Sequence, residues 1–173
     1  YRDVKWHDGQ PLTMEDVKHS LERMHNPQTF KTVAPRGQGL LTAVDKVEIA
    51  GEDTIKITLK YPSASFLFNI ATGWIAIQPK HILDVKGDMR RDLVGTGPFK
   101  LKEKIPEVSL ELQKNPNYHT KGLPYLDGIK FYTVKDDATR FSAFRTGQVL
   151  ITFSGSKGLS TTDAEIVKKE MAD

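Results

Sequence analysis

The sequence predicts a mixed α/β fold (α+β in character), in which antiparallel β-hairpins are flanked by helices. Residues 54–60 alternate between polar and apolar side chains, which is typical of a strand with one solvent-facing side. Apolar residues recur at steps of three and four between Met14 and Met24, which places them on one face of a helix. Together the two periods define the fold class.

The composition is that of a folded chain and excludes several kinds of site. The chain has 173 residues, of which 38% are apolar, and a formal net charge of +3. Near-normal apolar content and a small net charge disfavour long disorder. No run approaches the roughly eighteen apolar residues of a transmembrane helix. Because cysteine is absent, disulfides, thiolate metal sites and a cysteine nucleophile are excluded. Scattered basic residues disfavour nucleic-acid binding.

Three longer helices are expected, at residues 14–25, 137–146 and 162–171. Thr13 is a good N-cap for the first, and Asp16 completes an approximate capping box. Asp136 or Asp137 is expected to cap the second helix. Thr162, with an acid three residues later, is expected to open the third.

The β-rich parts are expected to be two hairpins and two single strands, residues 46–60, 98–114, 129–134 and 149–153. Two short apolar stretches are expected to be helical, residues 63–71 and 79–83. Residues 28–41 have no clean period and contain Pro35, so they are expected to form a loop. A polar, apolar-poor stretch at residues 84–91 suggests a subdomain boundary.

A search for catalytic and metal-binding motifs finds little. The motifs of α/β-hydrolases, zinc proteases and P-loop NTPases are all absent. Gly95–Pro98 could cradle a phosphate or form a turn, and the turn is favoured because Pro98 lacks an amide donor. The histidines could form a His/carboxylate metal site or be ordinary surface residues. Trp74 could line a pocket or belong to the core.

Short motifs occur in a fixed order along almost the whole chain. The main ones are Val4–Gly9, Pro11–Thr13, Glu15–Val17, Pro79–His81, Gly95–Leu101, Asn115–Tyr118, Pro124–Asp127, Ala138–Arg140 and Gly147–Val149. With them the chain resembles the family 5 extracellular solute-binding proteins, the peptide-, nickel- and glycoside-binding class that feeds ABC importers. His119 departs from the family pattern, which usually has Trp after Tyr118.

The resemblance implies part of a class II periplasmic-binding-protein fold, with two α/β lobes around a cleft. Residues 1–85 would be most of an extra subdomain of the first lobe, and residues 86–173 the middle of that lobe. Whole family members are longer, so the chain is expected to be an excerpt that lacks an N-terminal segment and the second lobe.

The resemblance also implies a function. The protein would be the substrate-binding component of an ABC importer, capturing oligopeptides or similar solutes without catalysis and without a cofactor. Its partners would be the solute and the importer permease, and its location periplasmic or extracellular, with or without a lipid anchor. A metal- or metal-chelate-binding carrier of the same fold is the main alternative, and a hydrolase is a more distant one.

Two loops are expected to face the ligand. The resemblance places them after the first helix and after the strand at 149–153, and Trp74 is added as a pocket wall; the residues are Val33, Arg36, Gly37, Trp74, Phe153, Ser154 and Gly155. The second loop could equally be an ordinary strand exit. Because strands at 129–134 and 149–153 would lack neighbours, the excerpt is expected to self-associate through their edges or a shared apolar face.

Overall fold

The computed structural model describes residues 3–32, 34–89, 93–152 and 161–170. These residues form helices and strands that are mixed along the chain, as the two periods predict. The helices are α1 (Met14–His25), α2 (Pro35–Leu40), α3 (Phe66–Ile70), α4 (Lys80–Lys86), α5 (Asp137–Arg145) and α6 (Thr161–Glu170). The strands are β1 (Val44–Gly51), β2 (Thr54–Leu59), β3 (Phe99–Ile105), β4 (Ser109–Lys114) and β5 (Gly128–Tyr132).

The strands form two sheets. In the first, β1 and β2 pair as an antiparallel hairpin in which Val47 lies opposite Ile57 and Ile49 opposite Ile55. In the second, the order is β3-β4-β5, with β3 and β4 joined by a short turn. Both expected hairpins are therefore confirmed. In β2 the strict alternation gives the strand one apolar side, and Ile55, Ile57 and Leu59 on that side pack against the core.

The chain divides into two compact units. The first consists of Tyr1–Lys102 with Leu112–Ile129, and the second of Glu103–Glu111 with Lys130–Asp173. Strands β3, β4 and β5 each contribute residues to both units. The composition suggests a subdomain boundary at residues 84–91. That boundary would separate the extra subdomain from the middle of the first lobe, and it stays a prediction.

The core of the first unit lies between α1, the β1–β2 hairpin and the turn after α3. Its members are buried apolar side chains, namely Leu21, Leu41, Val44, Val47 and Ile75. Val17 and Met24, on the predicted apolar face of α1, pack against this cluster. Fully burying an aliphatic side chain contributes about 1.5–3 kcal/mol, so these contacts hold α1 against the hairpin.

Asp16 is buried in the first turn of α1, where its carboxylate collects donors from three segments. One oxygen accepts hydrogen bonds from the Thr13 backbone N–H at 2.8 Å and from the Trp6 indole Nε1–H at 3.4 Å. The other accepts the backbone N–H of Lys80, at the start of α4, at 2.8 Å. The predicted capping box of α1 is present, because the Asp16 N–H in turn donates to the Thr13 hydroxyl.

Ser20, one turn further along α1, makes a second connection to the segment before α4. Its hydroxyl accepts the backbone N–H of Gln78 at 2.8 Å and donates to the Asp16 carbonyl at 2.7 Å. Ser20 is 1% exposed, so these hydrogen bonds are formed away from water. A small polar residue fits here because it satisfies backbone groups on two segments at once.

In the second unit, local hydrogen bonds define the start of α5. The Asp136 carboxylate accepts the backbone N–H of Thr139 at 2.7 Å, which makes Asp136 the N-cap. Asp137 instead forms an ion pair with Arg140 at 2.7 Å. Of the two capping candidates, Asp136 is therefore confirmed. Its backbone is extended, as an N-cap residue requires, whereas Asp137 is already the first residue of the helix.

Three expectations about secondary structure are wrong. Residues 35–40 form helix α2, not a loop, because Pro35 is well placed in a first helical turn and tertiary contacts outweigh the glycines. Residues 149–152 are not a strand, since they find no strand partner in the described part of the chain; residue 153 lies outside it. Thr162 lies inside the first turn of α6, which begins one residue earlier.

No helix in the described ranges combines the length and the hydropathy that crossing a membrane requires.

Replacing Asp16 by Ala should lower the free energy of unfolding by about 3 kcal/mol, because the cap is lost and buried donors on Trp6 and Lys80 lose their acceptor. Urea unfolding followed by circular dichroism measures the loss. Glu15→Ala is the matched control, because Glu15 lies in the same helical turn but is exposed. It should cost less than about 1 kcal/mol, and equal losses in the two variants would contradict the role given to Asp16.

The environment of His19 predicts that the folded protein loses stability in mild acid. It is 8% exposed, its ring packs edge-on against Phe30, and its Nδ1 has no hydrogen-bond partner among the described residues. Burial lowers the pKa of His19 below its ordinary 6.5, although the nearby Asp84 carboxylate opposes the shift. The unfolded chain therefore binds a proton more readily, and the free energy of unfolding should fall as the pH drops below about 6.5.

Urea unfolding at about pH 7 and about pH 5 checks this expectation, with His19→Gln compared with the wild type. The variant should lose less stability on acidification than the wild type. His119→Gln, which removes an exposed histidine, is the matched control. An identical acid-induced loss in wild type and His19→Gln would show that His19 is not responsible.

Candidate functional site

Two of the expected ligand-facing residues meet on the first unit. The guanidinium carbon of Arg36, on α2, lies 3.8 Å from the ring centroid of Trp74. Trp74 follows α3 and is 61% exposed, so the alternative that places it in the core is wrong. Its neighbour Ile75 takes the buried position instead. The pair is a stacked cation–π contact on an accessible surface.

Close backbone contacts hold the two segments that carry this pair. Gly37 is buried where α2 meets α1, and a Cβ at this position would lie 2.9 Å from the Cβ of Met24. On the other side, the Asn69 side-chain amide donates to the Leu40 carbonyl at 3.0 Å. The second contact joins the end of α2 to α3, just before the turn that presents Trp74.

The remaining expected site residues lie outside the described ranges. They are Val33, Phe153, Ser154 and Gly155. Thus Arg36, its chain neighbour Gly37 and Trp74 are brought together, with Gly37 in a packing position. The sequence predicts that both residues face the ligand. It does not predict the stacking of Arg36 on Trp74, because the two positions are 38 residues apart and no local pattern links them.

A second cluster, missed by the sequence reasoning, is centred on His7. The Gly95 backbone N–H donates to His7 Nδ1 at 3.2 Å, which leaves the proton on Nε2 to be donated to the Gly97 carbonyl at 3.0 Å. The Asn115 side-chain amide donates to the same carbonyl at 3.0 Å. Because the Gly95 amide is engaged by His7 and Phe99 opens β3, the Gly95–Pro98 segment is a turn and not a phosphate cradle.

Asp8, the residue after His7, forms a hydrogen bond with His81 at the start of α4. His81 Nε2 lies 2.7 Å from the Asp8 carboxylate. Partial burial by itself would raise the pKa of Asp8, but the hydrogen bonds from His81 and the Gln10 backbone N–H hold it below the usual value. In the described part of the chain, no group of three or more His, Cys, Asp or Glu residues is arranged to hold a metal ion.

An open apolar pocket of about 290 Å³ lies on the same unit. It is lined by residues from three of the ordered motifs and by Leu123, which precedes the last of them; the motif residues are Pro98, Phe99, Tyr118, Pro124, Tyr125 and Leu126. Tyr125 is 87% exposed. The signal in the sequence is the concentration of proline and aromatic residues at 116–125, which overlaps two of the ordered motifs.

Comparison with models of protein families identifies the family of the chain. Residues 2–171 match the model described as bacterial extracellular solute-binding proteins, family 5 Middle. The chain therefore belongs to the family 5 extracellular solute-binding proteins, and the resemblance drawn from its motifs is confirmed.

Individual relatives are similar to the chain, and their names or titles mention different ligands. The glutathione-binding protein GsiB of Pectobacterium atrosepticum is 31% identical over 165 residues, covering 92% of this chain and 31% of the relative. The structure of AgaA from A. tumefaciens R10 with agropinic acid has a TM-score of 0.78 and 34% identity, covering 86% of this chain and 30% of that one.

A third similar protein is the ABC transporter-associated periplasmic binding protein DppA from Helicobacter pylori, solved with the peptide STSA. It has a TM-score of 0.83 and 26% identity, covering 98% of this chain and 36% of that one. The expected periplasmic-binding-protein fold is thereby confirmed. The chain spans about a third of the length of the curated relatives it matches.

Replacing Gly37 by Ala should disturb the placement of Arg36, because the new methyl group would collide with Met24. The expected loss in the free energy of unfolding is about 1–3 kcal/mol. Gly39→Ala is the matched control in the same helix, since a Cβ there meets no atom within 4 Å. It should be neutral or stabilising by up to about 1 kcal/mol. Thermal unfolding measures both, and equal destabilisation would contradict the close-packing argument.

Proposed function

We propose that the protein is the substrate-binding component of an ABC importer, and that it captures oligopeptides or similar small solutes without chemical change. The observation that carries the proposal is the match of the chain to the family 5 solute-binding model over residues 2–171. The DppA structure supports a peptide ligand, because it is similar over 98% of this chain and contains a bound peptide.

The exposed Arg36–Trp74 pair suits non-covalent capture. An accessible indole offers a large apolar contact area, and a guanidinium offers several hydrogen-bond donors. Gly37 serves the site by letting α2 approach α1 closely. We assign Val33, Phe153, Ser154 and Gly155 to the same ligand-facing surface on the family resemblance alone.

The proposed location is the periplasm or the cell exterior, with or without a lipid anchor, and the proposed partner is the permease of the importer. Closure of two lobes around the solute would produce the form that docks on the permease. Residues 1–85 and 86–173 would belong to the extra subdomain and the central part of the first lobe.

The test is calorimetric titration of short peptides into the protein expressed from its complete reading frame, and into the 173-residue chain alone. The complete protein should bind, while the 173-residue chain should bind weakly or not at all, because one wall of a cleft supplies few contacts and excludes little water. Absence of binding by the complete protein would refute peptide capture. Submicromolar binding by the chain alone would place the whole site within it.

The 173-residue chain should also self-associate. In the described part of the chain β5 is an edge strand, and Phe131 on it is 38% exposed. Leu150 and Ile151 are 85% and 66% exposed. Sedimentation velocity over a concentration series measures association, and Ile151→Lys should reduce it, whereas Val85→Lys, at an 82% exposed apolar position on the other unit, should not. A monomer at high micromolar concentration would contradict the expectation.

A further inference from the structure

Among the residues that the structure describes, the hydrogen-bond donors of Arg36 have no protein partner. In the described part of the chain, Arg36 has no hydrogen bond and no ion pair, and its contact is the stacking on Trp74. Other arginines behave differently: Arg23 donates to a backbone carbonyl at 2.9 Å and Arg140 to the Asp137 carboxylate at 2.7 Å. The donors of Arg36 are therefore available to a solute.

The contact with Trp74 also holds this side chain. The guanidinium carbon lies 3.8 Å over the ring centroid, so the indole covers part of the cation, while Arg36 remains exposed. A guanidinium carries a planar fork of N–H donors that matches the two oxygens of a carboxylate and can donate to both of them.

Trp74 provides the second half of a recognition surface. At 61% exposed, its indole leaves apolar area in water that contact with a ligand would cover. The backbones on either side are already fixed, by Gly37 against Met24 and by the Asn69–Leu40 hydrogen bond. Pre-organised groups lose less conformational entropy on binding, which favours affinity.

From this arrangement we infer that Arg36 binds a carboxylate of the captured solute, while Trp74 packs against the apolar atoms beside that carboxylate. The inference rests on the proposed function and names the chemistry of its ligand. In a peptide, the carboxylate is either the C-terminus or the side chain of Asp or Glu, and both have the geometry that a guanidinium pairs with.

Three random tripeptide libraries separate these sources. The first has free C-termini and no Asp or Glu, the second has amidated C-termini and Asp or Glu at one position, and the third is amidated and without carboxylates. Binding to the protein from its complete reading frame is measured by equilibrium dialysis, for the wild type, Arg36→Gln and Arg36→Lys. Arg145→Gln is the matched control, because Arg145 also lies over an aromatic ring, that of Phe141, but on the other unit.

The wild type should bind one of the carboxylate libraries at least about tenfold more tightly than the carboxylate-free library, and Arg36→Gln should abolish that preference. Arg36→Lys should retain part of it, since lysine keeps the charge without the fork. Arg145→Gln should keep it entirely. Which library is preferred identifies the C-terminus or the side chain as the source.

Two results would overturn the inference. If the wild type binds all three libraries equally, or if Arg36→Gln keeps the preference, the carboxylate role of Arg36 is wrong while peptide capture stands. If the wild type binds no library, peptide capture itself is refuted and the inference falls with it. An unchanged melting temperature of peptide-free Arg36→Gln shows that a lost preference is not a folding defect; if that variant fails to fold, the Arg36→Lys result decides.

Discussion

The carboxylate of Asp16 joins the N-terminal segment and the start of α1 to the start of α4, which is 64 residues further along the chain. It completes the cap of α1 through Thr13, accepts the indole N–H of Trp6, and accepts the backbone N–H of Lys80 at the start of α4. Asp16 is 4% exposed, so its carboxylate has little contact with water and relies on protein donors. A buried carboxylate is tolerable only when hydrogen bonds satisfy it, so these donors and the carboxylate depend on one another.

The candidate site depends on the same helix, at its other end. Asp16 and Ser20 hold the first half of α1 to the segment before α4, and Met24 near its C-terminus provides the surface on which Gly37 rests. That contact sets the position of α2 and hence of Arg36. A shift of α1 relative to the elements around it would therefore move the Arg36 guanidinium relative to Trp74, although neither Arg36 nor Trp74 touches Asp16.

The residues that identify the family and the residues that meet the ligand in our proposal are different sets. His7, Asp16 and Asn115 belong to the ordered motifs, and each holds segments together through buried or half-buried hydrogen bonds. Arg36 and Trp74 lie between motifs. This separation fits relatives at 26–34% identity that share the fold but are named for, or solved with, glutathione, agropinic acid or a peptide. A shared framework is compatible with variable contact residues.

The sequence by itself determined the elements whose signals are local. Helix α1 with its capping box, both hairpins and helix α5 follow from periodicity and from residues three or four positions apart, and the family follows from the ordered motifs. The choice of Asp136 over Asp137 as the cap of α5 required the backbone geometry. Only the tertiary structure decided features that join distant residues: the His7 cluster, the stacking of Arg36 on Trp74, and helix α2, whose glycines carry no helical signal. Hydrogen bonds and close packing across long sequence separations depend on the whole fold, so no local pattern contains them.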